Sequence, residues 1–108
     1  MTTSKFREYA LALPGTIEQS HFDRLAFKVK NKRIFATLHK SDGSVNVRLP
    51  LVDQDVFSKF GNGAVYPVPN KWGHQGWTTF ELGSVSDELL LDALETAYND
   101  VFRSGREK

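Results

Sequence analysis

The sequence predicts an α+β fold: a two-layer domain in which an antiparallel β-sheet carries the N- and C-terminal helices on one face. Three observations predict it. Residues 24–49 alternate apolar and polar side chains with a period of two, the pattern of strands with one packed and one solvated face. Residues 4–13 and 84–103 place apolar side chains at helical spacing instead. Pro14-Gly15, Ser41-Asp42-Gly43-Ser44 and Gly61-Asn62-Gly63 punctuate the chain where elements should end.

The first element, residues 4–13, takes Ser4 or Thr3 as its N-cap and buries Phe6, Tyr9, Ala10 and Leu13. Pro14-Gly15 stops it, and residues 17–22 alternate weakly as a short first strand before Asp23 turns the chain. The meander follows. With Asn31-Lys32 as a two-residue turn, Lys30 faces Arg33, Val29 faces Ile34, Phe27 faces Ala36 and Leu25 faces Leu38. The other parity pairs Lys28 with Phe35, Ala26 with Thr37 and Arg24 with His39, an outward cationic face with one aromatic set in it. A loop at residues 41–44 leads to a third strand in which Val47 meets Leu38, Leu49 meets Ala36, and Arg48 joins the outward set.

Pro50 closes that strand. Asp53 is placed to cap a short helix whose apolar stripe is Val52, Val56, Phe57 and Phe60. Residues 65–77 hold both tryptophans among prolines and glycines and are expected to be irregular. From Trp77 the alternation resumes, with Thr78, Phe80 and Leu82 inward and Trp77, Thr79 and Glu81 outward. In the last helix Ser84 and Asp87 form a capping-box-like start, and Asp87 and Glu88 suit the positive end of the helix dipole. Its apolar face is Leu90, Leu94, Ala97 and Val101 with Leu89, Ala93 and Tyr98; Arg103 and Gly105 mark its end.

Composition narrows the function classes. At 108 residues, with 40% hydrophobic, 25% charged and 12% aromatic residues, the chain is expected to form one ordinary globular domain, residues 1–108. No cysteine is present, which excludes disulfides, a cysteine nucleophile and cysteine-based metal sites. No apolar run reaches the ~20 residues that span a bilayer, and Met1-Thr2-Thr3-Ser4-Lys5 lacks a signal-peptide core, so a cytoplasmic, non-membrane monomer is expected. The formal net charge of +1 conceals a dipole. Residues 24–49 hold seven cations, Arg24, Lys28, Lys30, Lys32, Arg33, Lys40 and Arg48, against Asp42 alone, a formal +6; the last helix holds Asp87, Glu88, Asp92, Glu95 and Asp100, a formal −5 between Ser84 and Val101. A basic sheet face is an electrostatic footprint for a polyanion, and it is also what keeps a small sheet soluble and unpaired at its edges.

Several pieces taken together resemble the MmcQ/YjbR family of small bacterial proteins: Leu13-Pro14-Gly15, Glu18 with His21-Phe22, Phe27-Lys28-Val29-Lys30-Asn31-Lys32 running into Ile34-Phe35-Ala36, and Pro69-Asn70-Lys71-Trp72-Gly73-His74-Gln75-Gly76-Trp77. The order and spacing of these pieces carry the resemblance over nearly the whole chain. The family often has Gly-Lys where this chain has Asn31-Lys32, and Asn also tolerates positive φ. The resemblance implies a compact fold similar to frataxin-like and secretion-chaperone-like domains, and a DNA-binding role without established catalytic residues.

DNA is accordingly the expected partner. Arg24, Lys28, Lys30, Lys32, Arg33, Arg48 and Lys71 are the candidate phosphate contacts, and Phe35, Trp72 or Trp77 the candidate stacking surfaces for an unpaired base. The best helix is acidic, which leaves strands or loops to do the binding, on duplex or single strand. The alternative is a small-molecule or protein-binding module that uses the aromatic loop of residues 66–77 as a pocket wall, with His74 and Gln75 as polar contacts. Tryptophans in such a loop also serve simply to pin it to the core. No cofactor or metal is expected: His21, His39 and His74 are scattered without an i, i+4 pair, and the first helix offers only Glu8 where an acidic row would be needed. No nucleophile elbow, P-loop or dinucleotide fingerprint occurs, so an enzyme is not expected.

Overall fold

A computed structural model describes residues 1–21 and 23–104. Phe22 and Gly105, assigned above to a strand end and a helix end, lie outside the described residues. The chain runs α1 (Thr3–Ala12), β1 (Thr16–His21), β2 (Arg24–Val29), β3 (Ile34–His39), β4 (Ser44–Arg48), α2 (Leu51–Phe60), β5 (Val65–Pro67), α3 (Lys71–His74), β6 (Trp77–Glu81) and α4 (Asp87–Ser104). The strands form one antiparallel sheet in the order β1-β2-β3-β4-β6-β5. Its inner face is apolar: Leu25, Phe27, Ala36, Leu38, Val45, Val47 and Phe80 are buried, together with Phe6 and Ala10 of α1 and Leu90, Leu94, Ala97 and Val101 of α4. Edge-to-face rings join the layers, Phe6 to Phe27 at 5.9 Å, Phe35 to Tyr98 at 5.8 Å and Phe57 to Phe80 at 6.3 Å between centroids. The α+β two-layer architecture holds, with the terminal helices on one face and α2 joining them beside β6.

Capping differs in detail from expectation. Thr2, one residue before the expected Thr3 or Ser4, caps α1 by accepting from the Lys5 amide at 3.0 Å. In α4 the Ser86 hydroxyl accepts from the Leu89 amide at 3.2 Å. Ser84 is not the cap, because α4 begins only at Asp87 and residues 81–85 form a preceding turn in which the Ser84 and Val85 amides donate to the Glu81 carbonyl, at 3.0 and 2.9 Å. Tyr9, expected inside, stays 41% exposed because α1 packs through Phe6 and Ala10.

The meander keeps its faces and changes its register. Leu38 pairs with Val45 and Ala36 with Val47, a slip of two residues that leaves every side chain on its expected face. In the first hairpin, Phe27 pairs with Ala36 but Lys28 pairs with Ile34, so Phe35 is an extra, unpaired residue in β3. The bulge exchanges two residues. Phe35 turns inward, fully buried against Tyr98, while Ile34 moves to the outer face beside Lys28. Burying a phenylalanine side chain is worth roughly 2–3 kcal/mol, which favours the bulge over a regular ladder with Phe35 in water. The two-residue turn becomes a four-residue connection, residues 30–33, in which Asn31 takes φ 67°.

Helix α2 is rotated relative to its expected stripe. Pro50 rather than Asp53 precedes it, without a side-chain cap, and its buried residues are Gln54 and Phe57. Val52, Val56 and Phe60 are 72%, 44% and 71% exposed. Gln54 sets this rotation, because its Nε2 donates to the Gly73 carbonyl at 2.9 Å, the Trp77 carbonyl at 3.3 Å and Thr78 Oγ1 at 3.1 Å. The Gly73 and Trp77 carbonyls also accept from the Gly76 and Val68 amides, at 3.0 and 2.9 Å, so Gln54 adds a second bond to each and ties α2 to the loop. Strand β5, unexpected because of Pro67 and Pro69, forms at the sheet edge, where a proline costs no ladder bond.

The tryptophan-bearing loop is seated by backbone contact. The Leu49 amide donates to the Gly76 carbonyl at 2.9 Å, and a Cβ on Gly76, which has φ 103°, would lie 2.0 Å from the Leu49 carbonyl oxygen. Gly73 is equally confined, 2.1 Å from the Val68 oxygen by the same measure. Only glycine fits either position.

Two outcomes follow for stability. Phe35→Ala should lower unfolding free energy by roughly 3–5 kcal/mol in urea titration; an unchanged midpoint would return Phe35 to the surface. Gln54→Leu should cost roughly 1–3 kcal/mol and shift tryptophan emission, since the clamp it removes holds the loop between Gly73 and Trp77; a variant with wild-type stability and emission would refute the clamp.

Candidate nucleic-acid interface

Helices cover one face of the sheet, so the opposite parity of each strand is left open. Pairing aligns these outer residues in three rows across the strands. Ile17, Lys28 and Ile34 make one part of the first row, and Arg48, Trp77 and Val68 continue it across β4, β6 and the residue after β5. The second row is Gln19, Ala26, Thr37, Asn46, Thr79 and Tyr66. Arg24, His39, Ser44 and Glu81 form the third. Cations and an indole therefore share the first row, the second is uncharged and polar except for Ala26, and the third runs from Arg24 to Glu81.

Three clefts lie side by side along this face. The central one, about 370 Å³, is lined by Arg24, Thr37, Asn46, Val68, Asn70, Trp72 and Trp77. One neighbour, about 610 Å³, is lined by Gln19, Ser20, Arg24, Ala26, Ile34 and Thr37. Arg24 and Thr37 belong to both. On the other side a polar cleft of about 530 Å³ includes His39, Asp42, Ser44, Asn46, Tyr66, Thr79 and Glu81. Two polar atoms of this face, Thr37 Oγ1 and His39 Nε2, are buried with no hydrogen-bond partner among the described residues. An unsatisfied buried group costs of order 1–3 kcal/mol, and Thr16 Oγ1 and Ser58 Oγ, away from these clefts, share that condition.

Loop chemistry places the tryptophans. Asn70, at φ 97°, caps α3 by accepting from the Trp72 amide at 2.9 Å. Trp72 is 52% exposed, and Trp77, the first residue of β6, is half-buried next to Arg48. Both border the same cleft.

The charges on this face are free. Among the described residues Arg24, Lys28, Lys30, Arg33, Arg48 and Lys71 form no ion pair, whereas Arg7 is held to Glu18 between α1 and β1 and Lys59 to Asp55 along α2. The Glu18 carboxylate raises the Arg7 pKa, first by its hydrogen bond and then by its charge, so that cation is already matched. The far end of the face is acidic. There the Tyr66 hydroxyl donates to Glu81 Oε2 at 2.7 Å, and this bond, with smaller effects of burial and of the Glu81 and Asp42 charges, holds the Tyr66 pKa above the ordinary tyrosine range.

The expected site residues thus separate into groups. Arg24, Lys28, Arg48, Trp72 and Trp77 come together on the open face, with Lys71 exposed beside Trp72. Lys30 and Arg33 are exposed at the hairpin end. Lys32 leaves the group, because its ammonium lies 5.7 Å from the centroid of the Phe102 ring of α4, on the helix side. Phe35 leaves it as a core residue, unable to stack on anything outside. His74 and Gln75 are exposed but line none of the three clefts. Asn46 and Asn70 were missed as cleft residues; strand parity places Asn46 outward, whereas no sequence pattern gave Asn70 its position. Among the described residues no group of three or more histidines and carboxylates is arranged to hold a metal ion, and no helix is long and apolar enough to cross a membrane.

The fold is similar to the crystal structure of a Deinococcus radiodurans protein described by its DUF419 family-model domain. The TM-score is 0.83 at 22% sequence identity, over 96% of this chain and 80% of that one, a likeness of fold. No curated protein matches the chain significantly. A family model described as YjbR matches residues 11–100, which takes in the whole sheet and the loop with both tryptophans, and the chain belongs to the YjbR family.

Proposed function

We propose that this protein is a non-catalytic DNA-binding protein that holds a single strand on the open face of its sheet. The observation that supports it most is the company the cations keep. Arg24, Lys28 and Arg48, none of them in an ion pair among the described residues, share one face with two accessible indoles. Cations that track a phosphate backbone beside aromatic rings that stack on bases are the recurring arrangement for unpaired nucleic acid.

Duplex reading by a helix is disfavoured. The longest helix, α4, has Asp87 and Glu88 in its first turn, which would repel a phosphate backbone, and α3 is only four residues long. The acidic end at Asp42 and Glu81 gives the strand a direction of approach, repelling phosphates from the side away from Lys28 and Arg48.

Fluorescence anisotropy of a labelled 12-nucleotide strand at about 50 and 200 mM salt tests this. Three phosphate contacts correspond to a slope near −2 in log K against log salt, so affinity should fall roughly 20-fold across that range. The variant Arg24→Glu/Lys28→Glu/Arg48→Glu should lose binding while unfolding at the wild-type temperature. Absence of binding at 50 mM, or undiminished binding by the triple variant, would falsify the proposal.

A further inference from the structure

The central cleft is unusual in the polarity of what it leaves unused. Asn46 accepts from Thr79 Oγ1 through its side-chain oxygen at 2.7 Å. Asn70 accepts from the Trp72 amide through its own side-chain oxygen at 2.9 Å. In both amides the acceptor is committed, and the NH₂ group has no partner among the described residues. Arg24 adds a guanidinium that can only donate, and Thr37 lies beside it with a buried hydroxyl that has no partner among the described residues. The cleft therefore presents donors beneath two indoles.

Resting on the proposed strand binding, we infer that this cleft is a pocket for one unpaired nucleobase with two ring carbonyls, thymine or uracil, stacked on Trp72 or Trp77 and hydrogen-bonded by the Asn46 and Asn70 amides. A base of this kind offers the acceptors the cleft lacks; adenine, whose exocyclic group is an amine, places a donor against donors. The volume of about 370 Å³ lies within the range of small-ligand pockets. Arg24 lines both this cleft and the next, so its guanidinium is placed to meet the phosphate that joins the pocketed nucleotide to its neighbour. Thr37 lines the same two clefts, with its hydroxyl buried and unpartnered among the described residues.

The chain has two tryptophans, and both line the cleft, so intrinsic fluorescence reports on it directly. Wild type, Asn46→Ala and Asn46→Asp are titrated with (dT)₁₂, (dA)₁₂ and free thymidine monophosphate. The aspartate keeps an oxygen for Thr79 to bond, so the fold contact survives, while it replaces the donor with an acceptor and adds a negative charge that should lower affinity for every strand. Wild type should prefer (dT)₁₂ about tenfold, the order of discrimination one well-placed base-edge contact confers, and both variants should reduce that preference to less than twofold.

The outcomes separate the two proposals. Equal, salt-sensitive binding of both strands by wild type overturns the base pocket and leaves strand binding intact. Quenching by free thymidine monophosphate, lost in Asn46→Ala, with no binding of either strand supports the pocket with a free nucleotide as its ligand and overturns strand binding. Absence of a response to all three probes overturns both.

Discussion

A backbone contact between Gly76 and Leu49 holds the candidate site in place. The Leu49 amide donates to the Gly76 carbonyl at 2.9 Å, and the two backbone segments approach so closely that a Cβ at Gly76 would overlap the Leu49 oxygen. Gln54 reinforces this seat from below, donating to the Gly73 and Trp77 carbonyls, while Thr78 Oγ1 donates to the Gly76 carbonyl at 2.9 Å. The loop between Asn70 and Trp77 is thereby tied to the end of β4, to α2 and to β6. Trp72 and Trp77 gain a fixed relation to Arg48 and Asn46, which lie on β4. A site on a pinned loop over a sheet loses less conformational entropy on binding than one on a free loop.

Everything on the open face follows from burial of the other. The inner residues of β2, β3, β4 and β6 pack against α1, α2 and α4, so the outer parity of the same strands is free to carry Lys28, Arg24, Arg48 and the polar row through Thr37, Asn46 and Thr79. The carboxylates of α4 sit in the helical layer and those of Asp42 and Glu81 at one end of the face. Such a separation of charge orients an approaching polyanion before contact, an effect that salt weakens.

How much of this was legible in the sequence depended on which symmetry carried the signal. Period-two alternation located β2, β3, β4 and β6 and their faces, because a register slip of two residues, as between β3 and β4, leaves parity untouched. A slip of one does not, and the bulge at Phe35 exchanged that residue with Ile34 between core and surface. Nothing in the local pattern marks the bulge; the gain from placing a phenylalanine ring against Tyr98 decides it, and that contact is distant in sequence. Helix α2 misled for a related reason. Val52, Val56 and Phe60 look like a core stripe, but the Gln54 amide takes the inward position, donating to the Gly73 and Trp77 carbonyls and to Thr78 Oγ1, and the apolar stripe faces outward. The cations were legible as a group, while the loss of Lys32 to the Phe102 ring required knowing where α4 ends. Asn46 and Asn70 acquire meaning only from the hydrogen bonds that occupy their oxygens.

The central claim is that the open face of the sheet, and no other surface, is the binding surface. Amide and side-chain chemical-shift mapping on isotope-labelled protein titrated with an unlabelled 12-nucleotide strand tests it directly. Perturbations should concentrate at Arg24, Lys28, Thr37, Asn46, Arg48 and the two indole N–H groups, and leave α4 unaffected. Shifts concentrated on the exposed apolar residues Leu51, Val52, Val56 and Phe60 of α2, or scattered over the helical layer, would contradict the account.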